Sequence, residues 1–82
     1  MKQTANTKYT SLPINFIIPE ELSDIIIQYV DYLNNSDHGS IDYYETEIRL
    51  ILNWCYRESL LTDEQIQLMR DYYQDGGILE VK

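Results

Sequence analysis

The sequence contains few of the residues that support catalysis, metal binding or cross-linking. Its 82 residues include one cysteine, one histidine, three glycines and two prolines. One cysteine cannot form an internal disulfide, and zinc requires three or four ligands. Cys55 and His38 are the one pair available for a nucleophilic dyad, and Cys55 lies on an apolar helical stripe that favours a buried structural thiol. The glycines lie at predicted turns rather than in a phosphate-binding loop. We therefore expect no enzymatic activity, no cofactor and no metal.

Positive charge and long apolar runs are also scarce. Six bases against fourteen acids give a net charge of −8, which disfavours direct binding to nucleic acid and to anionic membrane surfaces. No apolar run approaches the roughly 18 residues of a membrane span. The N-terminus lacks the apolar core of an export signal. We therefore expect a cytoplasmic protein that binds a basic protein.

Three amphipathic helices are predicted, at about 19–34, 41–59 and 62–75. With 44% apolar residues, the chain is hydrophobic enough to fold despite its charge. Pro19 at the first turn indicates the start of the first helix. Thr62 with Gln65 three positions later forms the capping-box pattern that starts the third. The first apolar stripe comprises Leu22, Ile25, Ile26, Tyr29, Val30 and Leu33.

Polar and apolar arms flank these helices. Residues 1–11 are polar and are predicted to be a mobile arm. Residues 12–18 are apolar and predict either a strap packed across the helices or a strand. The short C-terminal tail, 78–81, could pair with that segment as a minor β element. The prediction is therefore one all-α domain over 1–82, a three-helix bundle with an apolar N-terminal arm.

The excess negative charge is concentrated in residues 19–48, which contain eight acids and no base. We call this range the acidic segment. Concentrated like charges repel one another, so the fold alone does not require them. One interpretation is a solvated face that keeps a small protein soluble. The other is a surface complementary to a basic protein, which would accelerate association.

Tyrosine is the abundant aromatic residue, with eight copies against one Phe and one Trp. Tyr32 and Tyr43 lie off the core stripes, and each directly follows an acid. Tyrosine is common in interface hot spots because it offers a large contact area with few rotors. The alternative is a core-edge ring with its hydroxyl in solvent. The predicted partner-binding residues are Asp24, Asp31, Tyr32, Asp37, Asp42, Tyr43, Glu45 and Glu47.

The chain resembles bacterial immunity proteins in its size, in its base-free acidic segment and in the pairs Asp31-Tyr32 and Asp42-Tyr43. Such proteins neutralise a cognate nuclease toxin, for example in contact-dependent growth inhibition systems. The chain also resembles some phage-encoded anti-CRISPR proteins, which present acids where nucleic acid would bind. Both resemblances imply an inhibitor that covers a basic groove.

A degenerate EF-hand regulatory module is an alternative. Residues 34–45 have the length of a calcium loop between two predicted helices, with Gly39 at position six and Glu45 at position twelve. The first half departs from the pattern, because Asn34 stands where Asp is expected, and Ser36 and His38 stand where Asp or Asn is expected.

A helical dimerisation adaptor is the other alternative. In this interpretation exposed apolar residues such as Ile27 and Leu52 form a seam between two copies. The inhibitor interpretation predicts a monomer or a weak dimer.

Overall fold

Three α-helices and one short 3₁₀ helix make up the regular structure. The computed structural model describes residues 8–36 and 38–80. The helices are α1 (Glu20–Asn35), α2 (Ile41–Arg57) and α3 (Asp63–Tyr73), and the 3₁₀ helix spans Gly77–Glu80. No strand is present in the described ranges. The predicted all-α three-helix bundle is confirmed.

The core is built from one apolar stripe on each helix. Residues three and four apart share a helix face, so each stripe buries one side of its helix and leaves the other to solvent. Cys55 belongs to the buried stripe of α2 and is a free thiol. The buried residues are Leu22, Ile25, Ile26, Tyr29, Leu33, Ile48, Leu52, Cys55, Leu61, Ile66, Met69, Tyr73 and Ile78.

The N-terminus of α3 is closed by the predicted capping box. The Gln65 backbone N–H donates to Thr62 Oγ1 at 3.1 Å, and the Thr62 backbone N–H donates to Gln65 Oε1 at 2.9 Å. These bonds satisfy two donors at the helix start. The start of α1 follows Pro19 as predicted, with Glu20 and Glu21 in the first turn beside the positive end of the helix dipole.

Two helices end earlier than predicted because the backbone enters the left-handed region. Helix α2 stops at Arg57 rather than 59, and Ser59 has φ 57°. Helix α3 stops at Tyr73 rather than 75, since Asp75 and Gly76 have φ 55° and 73°. Left-handed residues terminate helices and reverse the chain.

The C-terminal tail does not pair as a β element, contrary to the prediction. The turn at Asp75 and Gly76 returns the chain to the core, and the tail coils into the 3₁₀ helix. The Gly77 N–H donates to the Gln74 carbonyl at 3.0 Å, and the Ile78 side chain is buried. Burial of Ile78 against the helices replaces strand pairing. Val81 lies outside the described residues.

Residues 8–18 form an irregular strap across α1 and α3, which we call the N-terminal strap. Its apolar residues Leu12, Phe16 and Ile18 pack against the core. The Leu12 N–H donates to the Tyr73 hydroxyl at 2.8 Å. Of the two structures predicted for residues 12–18, the strap is the one that forms.

The beginning of the strap is held by an asparagine on α1. Asn34 Oδ1 accepts from the backbone N–H groups of Lys8 and Tyr9 at 3.1 and 2.9 Å, and Asn34 Nδ2 donates to the Tyr9 carbonyl at 2.9 Å. The Tyr72 hydroxyl donates to the Thr10 carbonyl at 2.6 Å. Residues 8–11 are thus fixed to the helices, which corrects the prediction of a mobile arm there. Residues 1–7 lie outside the described residues.

Candidate protein-binding surface

The carboxylates of the acidic segment have no basic partners in the described part of the chain. Seven of the eight acids are described, on α1 and the first two turns of α2, and none forms an ion pair with a described residue. The eighth, Asp37, was predicted to bind a partner and lies outside the described residues. The described carboxylates are Glu20, Glu21, Asp24, Asp31, Asp42, Glu45 and Glu47. Their charge is therefore uncompensated within 8–36 and 38–80.

The outer face of α1 carries two of the predicted binding residues. Asp24 and Asp31 are seven positions apart, which is close to two helical turns, so both lie on the solvent side opposite the buried stripe. Asp31 Oδ1 accepts from Asn35 Nδ2 at 3.1 Å. Asp24 makes no side-chain hydrogen bond within the described ranges. Both carboxylates remain open to a partner.

One face of α2 combines an exposed aromatic ring, a carboxylate and an exposed leucine. Tyr43, Glu47 and Leu50 follow the helical spacing of four and three residues. Tyr43 and Leu50 are 57% and 54% exposed. The Tyr43 ring packs edge-on against the ring of Tyr44, with centroids 5.0 Å apart and planes at 79°. Tyr43 is therefore an exposed anchor that is already ordered.

Asp42 is exposed but lies on a different side of α2 from Tyr43. Consecutive residues of an α-helix are rotated by about 100° around its axis. The side chains of Asp42 and Tyr43 are therefore directed about 100° apart, and both are exposed. Asp42 lies in the first turn of α2, where its charge is favoured by the helix dipole.

Tyr32 and Glu45 connect elements of the fold. Tyr32 is half-buried, and its hydroxyl accepts a hydrogen bond from the Ser40 backbone N–H. Glu45 is half-buried, and its Oε2 accepts from the Gly76 N–H at 2.8 Å. The Glu45 backbone carbonyl also accepts from Gln74 Nε2 at 2.8 Å. Both residues were predicted to bind a partner, and the structure gives each of them an internal contact.

A fully buried tyrosine lies beneath these residues. Tyr29 stacks on Tyr44 with ring centroids 5.5 Å apart and planes at 14°. Burial raises the pKa of Tyr29 above its usual value, and the nearby charge of Glu45 raises it further. The hydroxyl makes no hydrogen bond within the described part of the chain. Tyr29 therefore stays protonated at neutral pH, and its ring packs beneath the ring of Tyr44.

A shallow hollow between α1 and α2 was not predicted from the sequence. Its volume is about 280 Å³. It combines one tyrosine ring from each helix with polar side chains from α1 and from Ser36. On α1, Gln28 lies three positions before Asp31 and Asn35 lies four positions after it, and this helical spacing is the sequence signal that could have indicated the hollow. The contribution of Tyr44 from α2 could not be seen in the local sequence. The lining residues are Gln28, Asp31, Tyr32, Asn35, Ser36 and Tyr44.

The twelve-residue calcium loop of the EF-hand interpretation does not form. Helix α1 continues to Asn35 and α2 begins at Ile41, so both ends of the proposed loop are helical. The side chain of Asn34 is bonded to the strap, and the Glu45 carboxylate is bonded to the Gly76 N–H. Within 8–36 and 38–80, no group of three or more His, Cys, Asp or Glu side chains could hold a metal ion.

Leu52 cannot form part of the proposed dimer seam, whereas Ile27 is exposed as that interpretation requires. Leu52 is 0% exposed, because it belongs to the buried stripe of α2, whereas Ile27 is 62% exposed. Broad apolar patterning on α2 gave no indication of which leucine faces outward. Leu50 is the exposed one.

The chain matches no protein-family model, no curated protein and no solved structure. Among the described residues, none of the helices combines the length and apolar character that crossing a bilayer requires. Function is therefore inferred from the chemistry of the surface itself.

Proposed function

We propose that this protein binds and neutralises a basic protein, acting as an immunity protein that blocks a nuclease toxin. This proposal is supported by the seven described carboxylates of the acidic segment, none of which has a basic partner within the described chain. Unpaired like charges repel and lower the stability of the free protein. A basic partner relieves that repulsion on binding.

The contact surface combines charge with apolar anchors. Asp24 and Asp31 present their carboxylates on the outer face of α1, and Glu47 presents its carboxylate on α2. Tyr43 and Leu50 supply exposed aromatic and aliphatic area on that face of α2. Charge accelerates the encounter, while well-packed aromatic anchors lengthen the lifetime of a complex.

Inhibition follows from occupancy and requires no chemistry. Nucleases hold phosphates with lysine and arginine side chains, and the carboxylates pair with those bases in place of the phosphates. An interface of about 1,600 Å² in total is standard for a stable complex. A bound protein of this size excludes the nucleic acid sterically. The proposal assigns the protein to the bacterial cytoplasm as a monomer.

Affinity capture with matched charge variants tests the proposal. The tagged protein is incubated with lysate of the source organism at low salt, and bound proteins are eluted by raising the salt and identified by mass. The test variant is Asp24→Lys with Asp31→Lys. The control is Glu58→Lys with Glu80→Lys, which makes the same change in net charge at exposed positions outside the acidic segment.

We expect one basic protein to bind the unmodified chain and the control, and to be lost from the test variant. The purified partner should then lose nuclease activity when the unmodified chain is added. Equal loss from test and control variants, or a partner that is not basic, contradicts the proposal. Capture of a CRISPR effector in place of a nuclease toxin would assign the protein to the anti-CRISPR class of inhibitor.

A further inference from the structure

The hollow between α1 and α2 has the size of a side-chain subsite. Its volume of about 280 Å³ lies below the roughly 300–1,000 Å³ typical of small-molecule sites. It opens beside Asp31, one of the carboxylates on the outer face of α1 that have no basic partner among the described residues. It therefore suits one side chain of a partner better than a cofactor or a nucleotide.

Two tyrosine rings give the hollow an aromatic lining. The rings of Tyr32 and Tyr44 lie with centroids 5.0 Å apart and planes at 33°. Each ring is held by a further contact, because the Tyr32 hydroxyl is bonded to the Ser40 N–H and Tyr44 stacks on the buried Tyr29. Rings that are already ordered lose little freedom on binding. The π faces of tyrosine attract cations.

The polar groups of the hollow include acceptors that have no basic partner among the residues that the structure describes. Asp31 Oδ1 receives one hydrogen bond from Asn35, which leaves acceptor capacity on both carboxylate oxygens. Asn35 Nδ2 also donates to the Asp31 carbonyl at 2.8 Å, an orientation that leaves Asn35 Oδ1 unoccupied. Gln28 makes no hydrogen bond within the described residues. Three side chains that line the hollow therefore have acceptor capacity left within the described residues.

A guanidinium group matches this combination of rings and acceptors. It is planar, stacks on aromatic faces, and presents five donors in a rigid fork. The lysine ammonium is a compact and strongly hydrated point charge with no flat face. The hollow therefore discriminates between the two cations.

We propose that the α1–α2 hollow is an arginine-binding subsite, in which Asp31 pairs with a guanidinium that lies against Tyr32 and Tyr44. The subsite deepens the proposed function, because it specifies arginine as the residue that the basic partner inserts. Its binding of a small probe does not depend on the identity of that partner.

NMR titration of the ¹⁵N-labelled protein tests the subsite. The probes are two blocked tripeptides, acetyl-Gly-Arg-Gly-amide and acetyl-Gly-Lys-Gly-amide, in about 0.15 M salt, where charges beyond about 8 Å are screened. We expect saturable shifts of the Gln28, Asp31 and Tyr44 backbone amides with the arginine peptide, with a dissociation constant in the millimolar range. The lysine peptide should bind at least about five-fold more weakly.

Two isosteric variants isolate the carboxylate. Asp31→Asn keeps the shape of the hollow and the acceptor for Asn35, and should weaken binding of the arginine peptide by at least about five-fold. Glu64→Gln makes the same charge change at an exposed position of α3 outside the hollow and outside the acidic segment, and should alter binding by less than about two-fold. Unchanged spectra away from the hollow confirm that both variants fold.

Three results overturn the subsite: equal binding of the two peptides, equal weakening by the two variants, or the absence of saturable shifts. These failures are distinguishable from failure of the proposed function. If a basic partner binds the Asp31→Asn variant as tightly as the unmodified chain, only the subsite is refuted. If the arginine peptide binds but lysate yields no basic partner, only the proposed function is refuted.

Discussion

Replacing Asp24 with lysine should stabilise the free protein while weakening its binding to a basic partner. Asp24 is exposed and has no ion pair within the described residues. The residues one turn before it on the same helix, Glu20 and Glu21, are also acidic. Like charges three or four positions apart destabilise a helix by about 0.2–0.5 kcal/mol per pair.

The expected gain in stability follows from these two pairs. Lysine at position 24 changes two repulsions into two attractions, and glutamate preceding lysine by four positions is the favourable orientation. The change is about 0.4–1.0 kcal/mol per pair. The free energy of unfolding should therefore rise by about 1–2 kcal/mol at low salt. For a domain of this length each kcal/mol raises the melting temperature by about 4–8 °C.

Urea unfolding followed by circular dichroism measures the change. Asp24→Gln is the matched variant, because glutamine and lysine have similar helix propensities and glutamine adds no charge. The difference between the lysine and glutamine variants isolates the new attraction. It should vanish near 1 M salt, where the Debye length is about 3 Å. Two results would refute the assignment of Asp24 as an unpaired charge. One is a lysine variant that is less stable than the glutamine variant, and the other is a difference between the two that persists at high salt.

Three further predictions concern the core and the C-terminal turn. Gly77→Ala should lower the free energy of unfolding by about 1–3 kcal/mol in urea, because a Cβ there collides with the Asp71 carbonyl oxygen; unchanged stability would contradict the turn. Burial raises the pKa of Tyr73 to about 12 and also raises that of Tyr29. Since unfolded tyrosine titrates near 10, the stability that these two tyrosines contribute should be constant up to about pH 10 and fall as pH rises toward 12; a flat profile from pH 10 to 12 would exclude this. Burial raises the pKa of the Cys55 thiol, so a thiol reagent should label Cys55 only as fast as the protein unfolds. Rapid labelling of the native protein would show instead that the thiol is accessible.

Local patterns made most of the fold predictable. The apolar stripe of α1 and the capping box at Thr62 each depend on residues within one or two turns, and both are present. The N-terminal strap was harder to predict from the sequence, because the Leu12 N–H donates to the Tyr73 hydroxyl across 61 positions. The β pairing expected of the tail does not form, because the β-branched and apolar residues at 78–81 do not reveal that the turn at Gly76 buries Ile78.

The candidate surface was predictable in charge but not in geometry. Composition identified the acidic segment, and the structure leaves Asp24 and Asp31 free of bases in the described chain. Sequence spacing could not show that the Glu45 carboxylate accepts from Gly76, because the contact joins residues 31 positions apart. The Tyr32 hydroxyl likewise bonds a backbone group beyond the end of its own helix. Such tertiary contacts decide which polar side chains remain available.

The strap also determines the order in which the chain can become native. The Tyr9 N–H bonds Asn34 across 25 positions, whereas the Leu12 N–H and the Thr10 carbonyl bond tyrosines of α3 across 61 and 62. Contacts so distant in sequence require a large loop to close. During synthesis the strap can reach Asn34 early, but the rest of it has no docking site until α3 has been made. Formation of the native core is therefore completed only after α3 has been made, and the strap is expected to be the last element to close.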